Sequence, residues 1–167
     1  MKFNRHLRWL RKDAFSTILI ILSLVLIVIV GAGMVYKLAE SHSTLYIGDG
    51  VFKVRVATTD AERLRGLSGT ESLAPDQGML FDFETNAKWS IWMKDMNYPI
   101  DVIWLDANKR VVHIVKNMPP ESYPDSFTPE KPARYVLEVA AGTVERKAIG
   151  IGDTARFDLA HEKEQKS

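Results

Sequence analysis

A bend with three charged side chains near the middle of the chain is the first place where chemistry could occur. Lys94 and Asp95 follow Trp92, and Asp101 comes shortly after a proline. Because the residue before a proline favours extended backbone, Lys94 and Asp101 can flank one bend, with Glu138 as a further member of the cluster. A lysine beside carboxylates can bind an anionic ligand or shift a carboxylate pKa. These five residues are therefore predicted ligand contacts, and the alternative is a structural Lys94–Asp101 ion pair.

Aromatic, methionine and serine side chains indicate weaker alternatives for the functional site. The aromatic residues of the same region could line a sugar-binding or lipid-binding groove or pack in the core: Phe81, Phe83, Trp89, Trp92 and Trp104. Thioethers select Cu(I), but methionine also fills cores, so a copper site is a minor alternative: Met79, Met93, Met96 and Met118, with His113. Ser68 in the segment GLSGT lacks the strand–turn–helix context of a catalytic serine. No metal and no cofactor is predicted.

The composition excludes several classes of site. The chain has no cysteine, which removes disulfides, thiolate nucleophiles and cysteine-bound zinc or iron–sulfur centres. From Lys37 to the C-terminus, 17 Lys and Arg residues stand against 20 Asp and Glu residues, a net charge of −3. Nucleic-acid binding demands clustered positive charge, so no nucleic-acid partner is predicted.

One apolar run dominates the N-terminal region. Ala14 to Tyr36 is 23 residues without a charge, or about 34 Å as a helix, and a membrane span needs roughly 20 residues. The run is preceded by five cationic residues: Lys2, Arg5, Arg8, Arg11 and Lys12. The pattern predicts a single-pass membrane anchor with a cytoplasmic N-terminus and an extracytoplasmic main domain. A cleaved signal peptide is the alternative.

The predicted organisation has five parts: a cytoplasmic basic tail at 1–13, a transmembrane anchor at 14–36, a linker at 37–44, a β-rich domain at 45–160 and a charged tail at 161–167. Apolar and polar residues alternate with period two in about eight short segments, which is typical of half-buried strands. They include two predicted hairpins, at 45–57 and 100–116, and a last strand at 155–159. In the predicted strand 88–93, Trp89, Ile91 and Met93 share one face and Trp92 lies on the other. The stretch 119–132 has five prolines and is predicted to be a loop. Thr59 and Glu62 have the spacing of a capping box that starts a short helix, and Thr143 can cap a second one that ends at Gly150. The predicted fold class is α+β, with a transmembrane helix followed by a compact curled or barrel-like sheet and two short helices.

Five segments in order resemble one known family: ERLRGLSG, GMLFDF, WSIWMKDMNYPIDVIWLD, YVLEVAAG and GIGD. Together they are similar to domain of unknown function 192, also called uncharacterised protein family 0127, from about Val51 to Phe157. The resemblance implies a compact β-rich domain, often secreted or membrane-tethered, and implies no activity, substrate or cofactor. The matching positions are Arg65, Gly66, Leu67, Gly78, Met79, Phe81, Trp92, Met93, Lys94, Pro99, Asp101, Glu138, Gly142, Gly152 and Asp153. Ser68 and Asp95 depart from the methionine and asparagine usual in the family.

The function predicted from these features is a membrane-anchored extracytoplasmic binding or accessory module. Its ligand would be a small molecule, a glycan or a protein. The first alternative is a small hydrolase or glycan-active enzyme that uses Asp101 and Glu138. The second alternative is a copper-handling protein. The solvent exposure of these side chains should distinguish the predicted functions. A binding module needs a groove with an aromatic floor, whereas such an enzyme needs two convergent carboxyl groups.

Overall fold

The N-terminal part of the chain contains one helix in the computed structural model, which describes residues 17–31 and 42–159. The described part of this helix, α1, covers residues 17–31. No helix within the described ranges is long and apolar enough to cross a membrane. This finding contradicts the predicted transmembrane helix, of which residues 14–16 and 32–36 lie outside the described ranges. The predicted extracytoplasmic location stays a prediction.

The chain divides into two compact units, Met1–Glu40 and Ser41–Ser167, and the second is built on a six-stranded mixed sheet. Its strands lie in the order β1-β2-β3-β8-β5-β6. They are β1 (His42–Ile47), β2 (Gly50–Ala57), β3 (Gln77–Ala87), β5 (Ile100–Leu105), β6 (Val111–Met118) and β8 (Ala133–Ala140). Neighbours are antiparallel except β2 and β3, which are parallel. Where a curled or barrel-like sheet was predicted, the structure has a mixed sheet with this strand order and few helices.

Local sequence signals account for the connections between these strands. The two predicted hairpins, β1–β2 around Gly48 and Asp49 and β5–β6, are present. The parallel β2–β3 pair needs a crossover, since only antiparallel strands can be joined by a tight turn. This crossover contains the helix α2 (Asp60–Arg65), which begins with the predicted capping box of Thr59 and Glu62.

Several short elements differ from their prediction. The segment predicted as a strand at 88–93 is reduced to β4 (Ile91–Trp92), which pairs with β7 (Ser126–Phe127). The proline-rich stretch from 119 to 132 therefore holds a strand as well as the 3-10 turn Pro120–Ser122. The second short helix, α3, spans only Thr143–Arg146 and has Gly142 at its N-cap, so the predicted cap at Thr143 and end at Gly150 are wrong. The predicted last strand forms isolated bridges, Tyr46–Arg156 and Arg110–Thr154.

Both faces of the sheet are buried, so the domain has two apolar clusters. The first contains Leu45, Phe52, Leu80, Ile103, Tyr135 and Leu137, with the C-terminal Phe157 packed among them. The second contains Met79, Phe81, Val102, Trp104 and Val136, and it is covered by side chains of the long loops that include Leu67, Ile91 and Met93. Because the covering segments are loops, the second face can hold a cleft between them.

Close approach of β3 and β8 requires a glycine at one position. A Cβ atom on Gly78 would lie 2.8 Å from the backbone oxygen of Glu138. Because the backbone would have to shift, Gly78→Ala is expected to lower the free energy of unfolding by about 1 to 3 kcal/mol. Denaturant unfolding measures the loss. Gly150→Ala is the control, since its Cβ would meet only Asp153 Oδ2, at 3.9 Å. Equal effects of the two substitutions would contradict the prediction.

Candidate functional site

A cleft of about 300 Å³ opens between the loops that cover the second cluster. Its walls come from α2 and the loop that follows it, from β3 and β8, and from the segment around β4. Of the residues predicted as ligand contacts, Trp92, Lys94 and Glu138 line this cleft. Asp95 and Asp101 lie elsewhere. The structure therefore brings together three members of the predicted set.

Glu138 supplies a buried carboxyl group to the cleft. Strand register places it in a row with Arg55, Met79 and Val102 across four neighbouring strands. Only 5% of Glu138 is exposed, and within the described ranges no hydrogen bond reaches its carboxyl group. Burial raises the pKa of Glu138 to about 8, although the nearby Arg55 guanidinium acts in the opposite direction. A buried carboxyl that is protonated at neutral pH and faces a cleft is a functional-site candidate.

Aromatic rings form one wall of the cleft. Phe83 stacks on Trp89 with ring centroids 4.3 Å apart, and Phe81 continues the row at 6.2 Å from Phe83. Trp92 is 42% exposed and meets the ring of Tyr123 edge-on at 6.2 Å. Trp104, by contrast, is fully buried and donates from Nε1 to the backbone oxygen of Trp89. Most of the predicted aromatic set thus packs in the core, while Trp92 is available to a ligand.

Basic side chains lie around the rim. Arg65 and Lys94 are exposed there, and neither forms an ion pair with a residue of the described ranges. Arg63 is different, because its guanidinium donates to Asp60 and to the backbone oxygen of Asp82, at 2.7 Å each. Arg63 therefore fixes α2 against the sheet, whereas Arg65 and Lys94 leave uncompensated positive charge at the mouth of the cleft.

Backbone contacts hold the segment of Lys94 against the loop after α2. Ser68 donates its hydroxyl to the backbone oxygen of Lys94 at 2.8 Å, and the Gly69 amide donates to the backbone oxygen of Asp95 at 2.8 Å. Asp95 has a φ of 55°, the left-handed conformation that aspartate tolerates better than most residues. Asp95 thus determines the backbone conformation of the turn beside the cleft. The Ser68 hydroxyl helps to fix the position of the Lys94 segment.

Asp101 lies on the opposite face of the sheet from Glu138. Val102 is the residue paired with Glu138, and successive side chains of a strand point to opposite faces. The fully buried Asp101 carboxylate accepts hydrogen bonds from the backbone amides of Asn117 at 2.9 Å and Val144 at 2.8 Å. It therefore ties β6 and the start of α3 to β5, in place of the ion pair with Lys94 considered from the sequence.

The methionines of the copper alternative belong to one apolar cluster. Met79, Met93 and Met118 are buried, and Met96 packs against the same cluster. A turn, with the Met96 amide bonded to the Met93 oxygen at 3.3 Å, brings these two residues to one side. Within the described ranges, no group of three or more His, Cys, Asp or Glu side chains is arranged to hold a metal ion.

Sequence reasoning missed the contribution of α2 to the cleft. Arg65 was noted only as a matching family position, and Leu64, which is 67% exposed, was not noted at all. A signal was present, because Arg65 ends a short capped helix immediately before Gly66. The sequence did not predict that this helix packs beside β3 and the segment of Trp92.

Comparisons with known proteins agree with the fold. The model of the family DUF192, described as an uncharacterised ACR, matches residues 43–157. A UPF0127 protein of Thermococcus kodakarensis is 33% identical over 113 residues, which cover 68% of this chain and 69% of that protein. A UPF0127 protein of Pyrococcus furiosus is 31% identical over 108 residues, which cover 64% of this chain and 87% of that protein.

Two solved structures are also similar. One, from Sinorhizobium meliloti, is described as a candidate transcription regulator and has a TM-score of 0.68 at 28% identity, covering 71% of this chain and 95% of that one. The other, a protein of unknown function from Novosphingobium aromaticivorans, has a TM-score of 0.64 at 27% identity, covering 70% of this chain and 84% of that one.

Proposed function

The chain belongs to the DUF192 family, and we propose that its β-rich domain is a binding module whose ligand occupies the cleft beside Trp92, Lys94 and Glu138. The observation that carries the proposal is the Glu138 carboxyl group. It is buried at the cleft without a hydrogen-bond partner in the described ranges. Buried polar groups in folded proteins are nearly always hydrogen-bonded, and a ligand in the cleft would supply the missing partner.

The composition of the cleft supports this proposal. Ligand pockets are concave and mostly apolar or aromatic, with a few polar groups that fix the orientation of the ligand. Here Phe83, Trp89 and Trp92 provide flat apolar surface, and Glu138 and Lys94 provide the polar contacts. A volume of about 300 Å³ is at the lower end of the range for small-molecule sites.

Binding is favoured over the hydrolase alternative because the two carboxyl groups that would act together are separated. Glycoside hydrolysis requires a pair of carboxyl groups that flank one bond of the substrate. Asp101 and Glu138 lie on opposite faces of the sheet, and both oxygens of Asp101 already accept backbone hydrogen bonds. Glu138 therefore has no partner in Asp101 for such chemistry.

Substitution of Trp92 tests the proposal. A set of small cyclic compounds is screened by NMR, and the dissociation constant of each hit is measured for the wild type and for Trp92→Ala. We expect hits that perturb the resonances of cleft residues, and an affinity about fivefold weaker in the variant, since an aromatic contact contributes roughly 1 kcal/mol.

Tyr46→Ala is the matched control, because Tyr46 is a similarly exposed aromatic residue on β1, outside the cleft. It should leave the affinity unchanged. Hits that map away from the cleft, or a set without any hit, would show the proposed site to be wrong.

A further inference from the structure

We infer that the ligand of this cleft is a small anion with a planar ring, whose charged group contacts Arg65 and Lys94 while its ring packs against the aromatic wall. This inference rests on the proposed function and names the ligand class of the same site. Three features carry it: the charge at the rim, the shape of the wall and the protonated group at the base.

The charge balance of the cleft favours an anion. Five titratable side chains line it: Asp60, Arg63, Arg65, Lys94 and Glu138. Asp60 and Arg63 form an ion pair at 2.7 Å, so their charges cancel. Two cations without an acidic partner in the described part of the chain then remain at the rim, although the sequence from Lys37 onward carries a net charge of −3. A local positive site on an acidic domain attracts anions selectively.

The wall favours a planar group. Phe83 and Trp89 are nearly parallel, with an angle of 10° between their rings, and Phe81 lies at 12° to Phe83. Trp92 lies on the same cleft with 42% of its surface exposed. Aromatic rings stack in offset parallel or edge-to-face arrangements, and a flat ring that enters the cleft can pack in this way against the exposed part of Trp92, beside the half-buried Phe83 and Trp89.

Glu138 is compatible with an anionic ligand because it is protonated at neutral pH. Its burial raises its pKa to about 8, against the influence of Arg55. A protonated carboxyl group has an O–H donor, and donation to a charged acceptor is stronger than donation to a neutral one. The base of the cleft therefore offers a donor to a ligand oxygen, and the rim neutralises the ligand charge.

Three probes of one shape and different charge test the inference on the full-length chain. They are indole-3-acetate, indole-3-acetamide and tryptamine, and their dissociation constants are measured by calorimetry or NMR titration at neutral pH. We expect the acetate to bind about fivefold more tightly than the amide, the effect of one solvent-exposed charge contact, and tryptamine to bind most weakly. Lys94→Ala and Arg65→Ala should each remove most of the preference for the acetate.

Lys53→Ala is the control, since Lys53 is exposed on β2 and outside the cleft, and Lys94→Arg should retain the preference. Equal binding of the acetate and the amide, or a preference for tryptamine, would overturn the inference while leaving the cleft as a binding site. If none of the three probes binds, the inference is overturned, and the screen of cyclic compounds decides the proposed function separately. A preference for acetate that survives both alanine substitutions would also overturn the inference.

Discussion

Replacing Asp101 with alanine is expected to lower the free energy of unfolding by about 3 to 5 kcal/mol. The carboxylate is fully buried and accepts from the amides of Asn117 and Val144. The Val144 amide is left buried without an acceptor, which costs about 1 to 3 kcal/mol, and the lost bond from the less buried Asn117 amide and the space vacated by the side chain add to the loss. Denaturant unfolding, followed by tryptophan fluorescence, measures the change.

Two variants make this result specific to the carboxylate. Asp101→Asn retains one acceptor oxygen but places an NH₂ group opposite a backbone donor, so its loss should be intermediate. Asp76→Ala removes an exposed carboxylate from a turn and should change stability by less than about 0.5 kcal/mol. If Asp101→Ala costs less than about 1 kcal/mol, the two amides have other partners, and Asp101 is not the tie between β5, β6 and α3.

Local features of the fold could be predicted from the sequence because their causes are local. The Thr59–Glu62 capping box needs residues only three apart, and the hairpins need a turn between alternating strands. The side-chain alternation that put Ile91 and Met93 in the core and Trp92 opposite them is confirmed by their burial. Each of these depends on a short stretch of backbone geometry.

Features that depend on distant pairing could not be predicted. Alternation places Asp101 on one face of its own strand and Glu138 on one face of another, but their relation depends on the register of β5 against β8. The parallel pairing of β2 with β3 across α2 is a similar case. Three of the five residues predicted as ligand contacts therefore lie at one cleft, and the sequence did not show that Asp101 lies on the other face.

The N-terminal segment shows a different reason for error. Hydropathy counts apolar residues, and Ala14 to Tyr36 contains enough of them for a membrane span. No helix within the described ranges is long and apolar enough to cross a membrane, and residues 14–16 and 32–36 of the run lie outside those ranges. A count of apolar residues alone therefore did not predict this finding.

Replacing Glu138 with glutamine is expected to stabilise the domain increasingly as the pH rises from about 4.5 to about 8. The pKa of Glu138 is about 8 in the folded protein, against an ordinary value of 4.5. Below pH 4.5 the carboxyl is protonated in both the folded and the unfolded chain. Between the two values only the folded chain retains the proton, so the wild type loses about 1.4 kcal/mol for each pH unit.

The difference in unfolding free energy between Glu138→Gln and the wild type isolates this effect, because every other titrating group is common to both proteins. Glutamine does not titrate, so the difference should grow by up to about 5 kcal/mol across the pH window and level off above it. Glu121→Gln, at an exposed position, should give a difference that is nearly independent of pH. A flat difference for Glu138→Gln as well would mean that the carboxyl is solvated or paired in the folded protein. The cleft would then lack the protonated donor on which anion binding beside Lys94 depends.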